Sequence, residues 1–447
     1  MPAWVLCALV AIPVVVGLPW AEDTPWAGGI VLFAAGLPWL CLCLAWRRAR
    51  LGGSLLPALA VCIAARLLLV AAPPGLSDDV YRYAWEGQVQ QAAGAPAPFL
   101  RPPNDPTLAP LRRAWHARIN HPDLSAIYFP AAQIFFRLFA RGPRPVAAVR
   151  LALALTDVAA LVLLTVWLRR RGDAWGALLY GACPLVLAEV AHGSHLDVLC
   201  VAALLAALFL WEGGRSSAAG AALAVGALVK PNFLVPATAV LEAVPRRRLF
   251  AALGGAAVMG AALFLPYAAA GRGLVASLFE YATRWRANDA LYALVHALVA
   301  GLWPEETYLY VPALDLTLWP RPVARLVVLV LLGLFLLWLG AAARRAPERW
   351  PGPRRALYAA TAMLLLAPAA HPWYWLWVAA LVPLHFSWPL VVLLWTLPLH
   401  YLSQAWAAPW ALRALVYLPA LLTWLGLWVR RPRPWGEDRA AKVDLVC

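Results

Sequence analysis

Lysine is almost missing from this chain. Only Lys230 and Lys442 interrupt a basic complement of 37 residues, so the formal net charge of +15 is carried by arginine. Charge as a whole is scarce, at 13% of 447 residues, against about 25% in an average soluble domain. With 63% hydrophobic residues and a mean hydropathy of +0.71, that scarcity excludes an ordinary water-soluble fold. No glycine-rich phosphate loop is present, and no soluble segment is long enough for a nucleotide-binding domain. No internal repeat is evident. The seven cysteines (Cys7, Cys41, Cys43, Cys62, Cys183, Cys200 and Cys447) lack metal-site spacing, and six of them lie in apolar runs. Neither a structural metal nor a disulfide framework is expected. The arginines come in short clusters between apolar runs, which argues against nucleic acid and for cytoplasmic anchoring of membrane spans.

What is present is a succession of apolar runs of the length a hydrocarbon core demands. The pattern predicts a single all-α polytopic membrane domain over 1–447 with about 12 transmembrane helices and both termini cytoplasmic. The 25 tryptophans suit interfacial belts. The first run, 4–20, lacks a basic n-region and reads as a retained span rather than a signal peptide. It is joined to 28–46 by the acidic turn Ala21-Glu22-Asp23, and Arg47-Arg48-Ala49-Arg50 marks the cytoplasmic side. Span 54–72 leads outward, so 73–140 is an extracytoplasmic loop, with 127–140 as a helix lying at the interface. Arg169-Arg170-Arg171 returns the chain to the cytoplasm. The stretch 218–244 has basic flanks on both sides and is broken by Lys230-Pro231, which predicts re-entrant half-helices. A second extracytoplasmic segment is expected over 271–320, and Arg430-Arg431-Pro432-Arg433 closes the last span.

Under this topology the unusual polar residues share one side. Ionisable groups in or beside spans are costly and are functional candidates by default. Asp78 and Asp79 follow Ser77 at a helix start, where capping and dipole complementation explain them equally well. Arg82 and Glu86 continue the face of Asp78 and could form a surface ladder. Lys230, alone in an apolar stretch, calls for an anion. Asp157 and Glu189 read as structural, with Asp157 paired to Arg150 or to a neighbouring helix. Asp197 and His371 stand open between structure and function.

The series Ser77-Asp78-Asp79-Val80-Tyr81-Arg82-Tyr83-Ala84-Trp85-Glu86-Gly87, Pro102-Pro103-Asn104-Asp105, Ile119-Asn120-His121-Pro122 and Tyr128-Phe129-Pro130-Ala131-Ala132-Gln133 resembles the bacterial multi-spanning mannosyltransferases of the GT-C superfamily. His192-Gly193-Ser194-His195-Leu196-Asp197, Lys230-Pro231, Trp285 with Asn288, and His371-Pro372-Trp373-Tyr374 look like later landmarks of the same family. The likeness covers about residues 73–375. Glu86 and Phe129 depart from the Trp-Asp-Gly and Tyr-Pro-Pro more usual there.

The resemblance implies a GT-C-like bundle in the bacterial plasma membrane, with its active site on the extracytoplasmic side. It implies a glycosyltransferase that takes a hexose, mannose by likeness, from a polyprenyl-phosphate donor to a glycolipid or glycan acceptor. Membrane lipids are the other partners, and nucleic acid is not one. Asp78 carries over as general base, with Asp79 beside it in the catalytic pair. Lys230 and Arg82 are assigned to the donor phosphate. Tyr83, Glu86, His121, Tyr128, Gln133, His195, Asp197, Trp285, Asn288, His371 and Trp373 are assigned to substrate. No cofactor is assigned, and since members differ in metal dependence a divalent metal stays open. One base acting in line gives inversion; a retaining route would use Asp79 or Asp197 as nucleophile. The competing readings are a transporter or lipid-linked-sugar flippase, because broken helices and intramembrane charges also suit those, and a structural subunit of an envelope assembly.

Overall fold

The structure, a computed structural model, describes residues 2–21, 24–241, 245–302, 307–312 and 316–430. Glu22 and Asp23 of the acidic turn, the end of 218–244, parts of 271–320, and the arginines and Lys442 beyond residue 430 lie outside the described residues.

Helices dominate. Long apolar runs form α1 (Ala3–Trp20) and α2 (Pro25–Arg47), followed by the shorter α3 (Leu55–Ala71). The first loop contributes α4 (Asp79–Ala93) and α5 (Pro130–Phe139). Then come α6 (Pro145–Arg170), α7 (Asp197–Glu212), α8 (Ser216–Ala227), α9 (Leu234–Leu241) and α10 (Arg246–Phe264). The second loop holds α11 (Gly273–Arg284) and α12 (Leu291–Leu302). The chain closes with α13 (Pro320–Arg345), α14 (Gly352–Leu366), α15 (Trp388–Thr396) and α16 (Pro409–Val429). Proline opens α2, α5, α6, α13 and α16, where its missing N–H has no partner to lose and its fixed φ is already helical.

Six of the described helices are long and apolar enough to cross a membrane, and the bent pair Ala174–Gly181 with Pro184–His192 makes a seventh if counted as one span. The chain is therefore a multi-pass α-helical membrane protein. The remaining expected crossings are short or interrupted. Helices α3, α7 and α14 have 17, 16 and 15 residues, below the roughly 20 that span 30 Å untilted. The segment 174–192 bends by 54° at Ala182-Cys183 and carries a π-helical turn over Leu187–His192, the kind of irregularity that gathers at functional sites. Among the described residues β structure is confined to the antiparallel pair Leu309–Val311 with Leu316–Leu318 and two isolated bridges.

Two rims emerge. One carries Arg47 to Arg50, Arg169 to Arg171, Arg215, and the arginines that open α10; there Trp46 Nε1 reaches Asp173 at 2.9 Å and Arg171 reaches Glu212 at 2.6 Å. The other carries the first loop, His192 to Asp197, Lys230, the second loop and His371. Helix α8 meets α10 so closely that a Cβ on Gly220 would strike the Ala252 carbonyl, and one on Gly255 the Ser217 carbonyl. Such small-residue contacts replace the hydrophobic drive that lipid does not supply.

The expectation that Asp157 pairs with a neighbouring helix holds, and the partner is Arg66 of α3 rather than Arg150. Arg66 Nε lies 2.6 Å from Asp157 Oδ2, both side chains are fully buried, and Tyr180 donates to the other carboxylate oxygen. Arg66 also donates to the carbonyls of Cys62 and Gly181. Removing one member of such a pair strands the other. Arg66→Leu is expected to lower the unfolding free energy by about 3–5 kcal/mol, read as a fall in thermal midpoint in detergent, and Arg66→Leu combined with Asp157→Leu to recover much of that loss. A single variant as stable as wild type would show the pair to be dispensable. Arg150 instead clamps backbone, donating to the carbonyls of Leu69, Ala72 and Ala191 and to Ser194 Oγ.

Candidate functional site

The first loop is held in place from within. Arg82 on α4 donates from Nε to Glu86 at 2.9 Å. Its Nη1 reaches the carbonyls of Asn120 and His121, and its Nη2 those of Leu124 and Ser125. All five donors of a guanidinium are thereby used. Glu86 is buried and also accepts from Gln133 Nε2 at 2.5 Å. Burial pushes its carboxyl up, while Arg82 and Gln133 oppose that. Gln133 in turn holds Gln90 at 2.8 Å. A Cβ at Gly87 would overlap the Phe136 carbonyl, so α4 and α5 touch backbone to side. Asn104 N donates to Pro122 O at 3.0 Å, which docks the two proline-containing segments of the loop on each other.

This clamp delivers Asp79 to a cavity of about 620 Å³. Asn120 Nδ2 donates to Asp79 Oδ1 at 2.7 Å, and the hydroxyls of Tyr83 and Tyr128 lie 3.3 and 3.4 Å from Oδ2. Asp78 is placed differently. It caps α4 without a side-chain cap bond, is exposed, and is not among the cavity-lining residues. Partial desolvation raises its carboxyl, with Arg118 lowering it and Asp79 raising it. The expected order within the pair is thus corrected: Asp79, not Asp78, faces the cavity. Leu76 sets this phase, since its backbone is left-handed at φ 67° and turns the chain just before the helix begins.

Lys230 also lines the cavity, in the break between α8 and the short turn Pro231–Phe233. Its Nζ is 2.7 Å from Asp197 Oδ2 and 4.2 Å from the centre of the Tyr374 ring. Asp197 is buried and its Oδ1 has no hydrogen-bond partner. The Tyr374 hydroxyl meets that of Tyr281 at 2.7 Å. Backbone bonds from Phe129 to Val229 and from Ala131 to Leu228 tie the start of α5 to this break.

The second loop completes the wall. Ala287 pairs with Ala369 in a parallel bridge, Asn288 Nδ2 donates to Ala370 O at 2.9 Å, and Tyr417 of α16 donates to Asn288 O at 2.6 Å. Asp289 is buried between Arg286 and Arg413. Trp285 stands edge-on to His121 with centroids 4.8 Å apart. Trp373 is sandwiched between His195 at 3.9 Å and His371 at 4.3 Å. His195 Nδ1 lies 3.0 Å from both the Glu189 carbonyl and its Oε2, and Tyr401 donates to Oε1.

Of the expected site residues, Asp79, His121, Tyr128, Lys230, Trp285, His371 and Trp373 line the cavity. Asp197, Tyr83 and His195 sit directly behind it through the contacts just given. Four expectations are corrected. Glu86 and Gln133 are internal to the clamp and Asn288 is spent on backbone, so none of them lines the cavity. Arg82 touches the cavity wall, but its donors are all committed, which leaves none for a phosphate. Sequence reasoning did not single out Asn120, Tyr281, Tyr374, Asn232 or Arg325, all of which line the cavity. For Arg325 the signal existed, a cation early in the long apolar run of α13. Aliphatic side chains also line the cavity: Leu278 and Ala282 of α11, Val328, Leu329 and Leu332 of α13, and Met363 and Leu366 of α14. Leu329 is 63% exposed.

Among the described residues no group of three or more His, Cys, Asp or Glu side chains is gathered as a metal site. Chemically the cavity wall carries a hydrogen-bonded carboxylate and an ammonium together with a set of aliphatic side chains. Comparison with protein-family models, characterised proteins and solved structures returns no match to this chain.

Proposed function

We propose that the protein is a membrane glycosyltransferase of GT-C type that transfers a hexose from a polyprenyl-phosphate carrier to an acceptor hydroxyl. The observation that carries this reading is the presence of Asp79 and Lys230 on the wall of one cavity that aliphatic side chains also line. A carboxylate suits proton removal from an attacking hydroxyl. A cation suits the phosphate that leaves. Leucine and methionine suit a lipid tail, and Leu329 links that wall to the bilayer. Of the three cations on the wall, Arg82 is fully engaged, so Lys230 and Arg325 are the groups left for the phosphate.

In this mechanism the acceptor O–H gives its proton to Asp79 as the oxygen attacks the anomeric carbon. The C1–O bond to the carrier phosphate breaks, and both electrons stay on the phosphate beside Lys230. Attack from one face inverts the anomeric centre. Tyr83, Tyr128 and Asn120 hold the carboxylate in line. Mannose is the sugar favoured by the resemblance. A GT-C bundle of about 12 spans in a bacterial plasma membrane, with the first loop outside, is the arrangement that fits. A carrier embedded in the bilayer then replaces the nucleotide sugar, which is absent on that side.

Membranes containing the protein, supplied with polyprenyl-phosphate mannose and a mixed envelope glycolipid fraction, are expected to release free polyprenyl phosphate in step with glycosylated product. The broken segments 174–192 and 216–241 favour one rival, a flippase for lipid-linked sugar. That rival wins if vesicles show the carrier crossing leaflets with no phosphate released.

A further inference from the structure

The first loop carries a patch of arginine that the clamp and the cavity do not use. Arg112, Arg113, Arg141 and Arg144 are all exposed. Arg113 Nη1 donates to Pro143 O at 3.1 Å, which brings the 112–113 corner against the 141–144 connection between α5 and α6. Arg112 donates to the carbonyls of Pro103 and Asp105, and Arg141 Nε to that of Arg137. Among the described residues none of the four forms an ion pair with a carboxylate. The patch also stands on the wrong rim for an orientation signal. Arginine retained by the positive-inside bias gathers at the other rim, where the clusters at 47–50, 169–171 and 246–248 already lie. Three of the four donate only to backbone carbonyls, which hold the side chains without cancelling their charge, and four like charges close together repel one another, so they point to an anion from outside.

Its position narrows the occupant. The segment Ala114–Arg118 leads from the patch straight to Asn120 and His121 on the cavity wall. Arg118 stacks over Tyr81 at 4.7 Å, two residues beyond Asp79. A chain lying on the patch would therefore end at the carboxylate. Guanidinium forks match carboxylates and phosphates in bidentate fashion, and their spread across two segments matches repeated charges rather than one.

We propose that this patch is the docking surface for an anionic glycan, the acceptor of the transfer reaction, carrying carboxylate or phosphate groups along its length. Naming the occupant as acceptor rests on the glycosyltransferase reading; the surface itself does not.

The test uses the full chain in nanodiscs of zwitterionic lipid and reads binding without turnover. The probes are fluorescently labelled hexagalacturonate and its uncharged counterpart maltohexaose. Wild type is expected to bind hexagalacturonate about tenfold more tightly than maltohexaose at low salt, with the preference fading as salt screens it. Arg112→Gln, Arg113→Gln, Arg141→Gln and Arg144→Gln together are expected to erase the preference. The two half-variants, 112–113 and 141–144, are each expected to lose part of it, and they keep the question answerable if the fourfold variant unfolds. Equal affinity for both probes in wild type, or an undiminished preference in the variants, overturns the proposal. So does a variant whose sole defect is weaker attachment to vesicles of anionic phospholipid, which would make the patch a membrane anchor. Because no sugar is transferred, a failed glycosyltransferase assay leaves this outcome intact, and the reverse holds as well.

Discussion

Asp79→Asn is expected to reduce carrier-phosphate release by about a thousandfold, within the range that loss of a general base produces. Asp78→Asn is expected to stay within about tenfold of wild type. The contrast follows from placement. Asp79 lines the cavity and is held by Asn120, while Asp78 sits exposed at the helix cap. Asparagine keeps the size of the side chain and a capping oxygen, so both variants should fold, which thermal midpoints in detergent will check. A folded Asp79→Asn enzyme with full activity removes that carboxylate from the chemistry. A dead Asp78→Asn beside a live Asp79→Asn returns the role to the first position of the pair.

Lys230→Met separates chemistry from stability. The single change leaves Asp197 buried at 1% exposure with its cation gone, a loss of about 3–5 kcal/mol by analogy with other broken buried pairs. In the proposed mechanism it also removes the charge set against the leaving phosphate, and kcat/KM is expected to fall about a hundredfold. Adding Asp197→Asn should restore most of the thermal midpoint but none of the turnover. Wild-type kinetics in that stable double variant would make the pair purely structural.

How much of this was legible in the sequence differs from element to element. Hydropathy revealed the membrane class and the long spans, because runs such as 145–170 have no other home. The break at Lys230-Pro231 was legible because proline ends a helix and a lone lysine needs an anion; the neighbour proves to be Asp197. The member of the acid pair that turns inward was not legible. It depends on a left-handed backbone at Leu76, which no pattern of side chains announces. Arg82 and Glu86 show a second limit. Their i,i+4 spacing reads as a surface ladder, yet the acceptors of Arg82 are mainly carbonyls 38–43 residues away, and backbone acceptors leave no mark in a sequence. The span count was blurred by the same blindness. Helices such as α3 and α14 are largely apolar, with Arg66 inside the first and Arg354 and Arg355 opening the second, but where they stop is decided by packing and by prolines whose effect depends on phase.

The left-handed residues carry an evolutionary consequence. Besides Leu76, they include His121 at φ 44°, Ser194 at φ 59° and Asn288 at φ 49°, each bordering the cavity or the groups behind it. A side chain in that conformation costs roughly 1–2 kcal/mol, and glycine relieves it in exchange for about 0.5–1 kcal/mol of unfolded-chain entropy. At Leu76 above all, a laboratory selection for heat resistance would be drawn toward glycine, and the winners would be sturdier proteins with slacker carboxylates. Tension at these corners is a reserve that selection for a well-shaped cavity has reason to keep and selection for robustness has reason to spend.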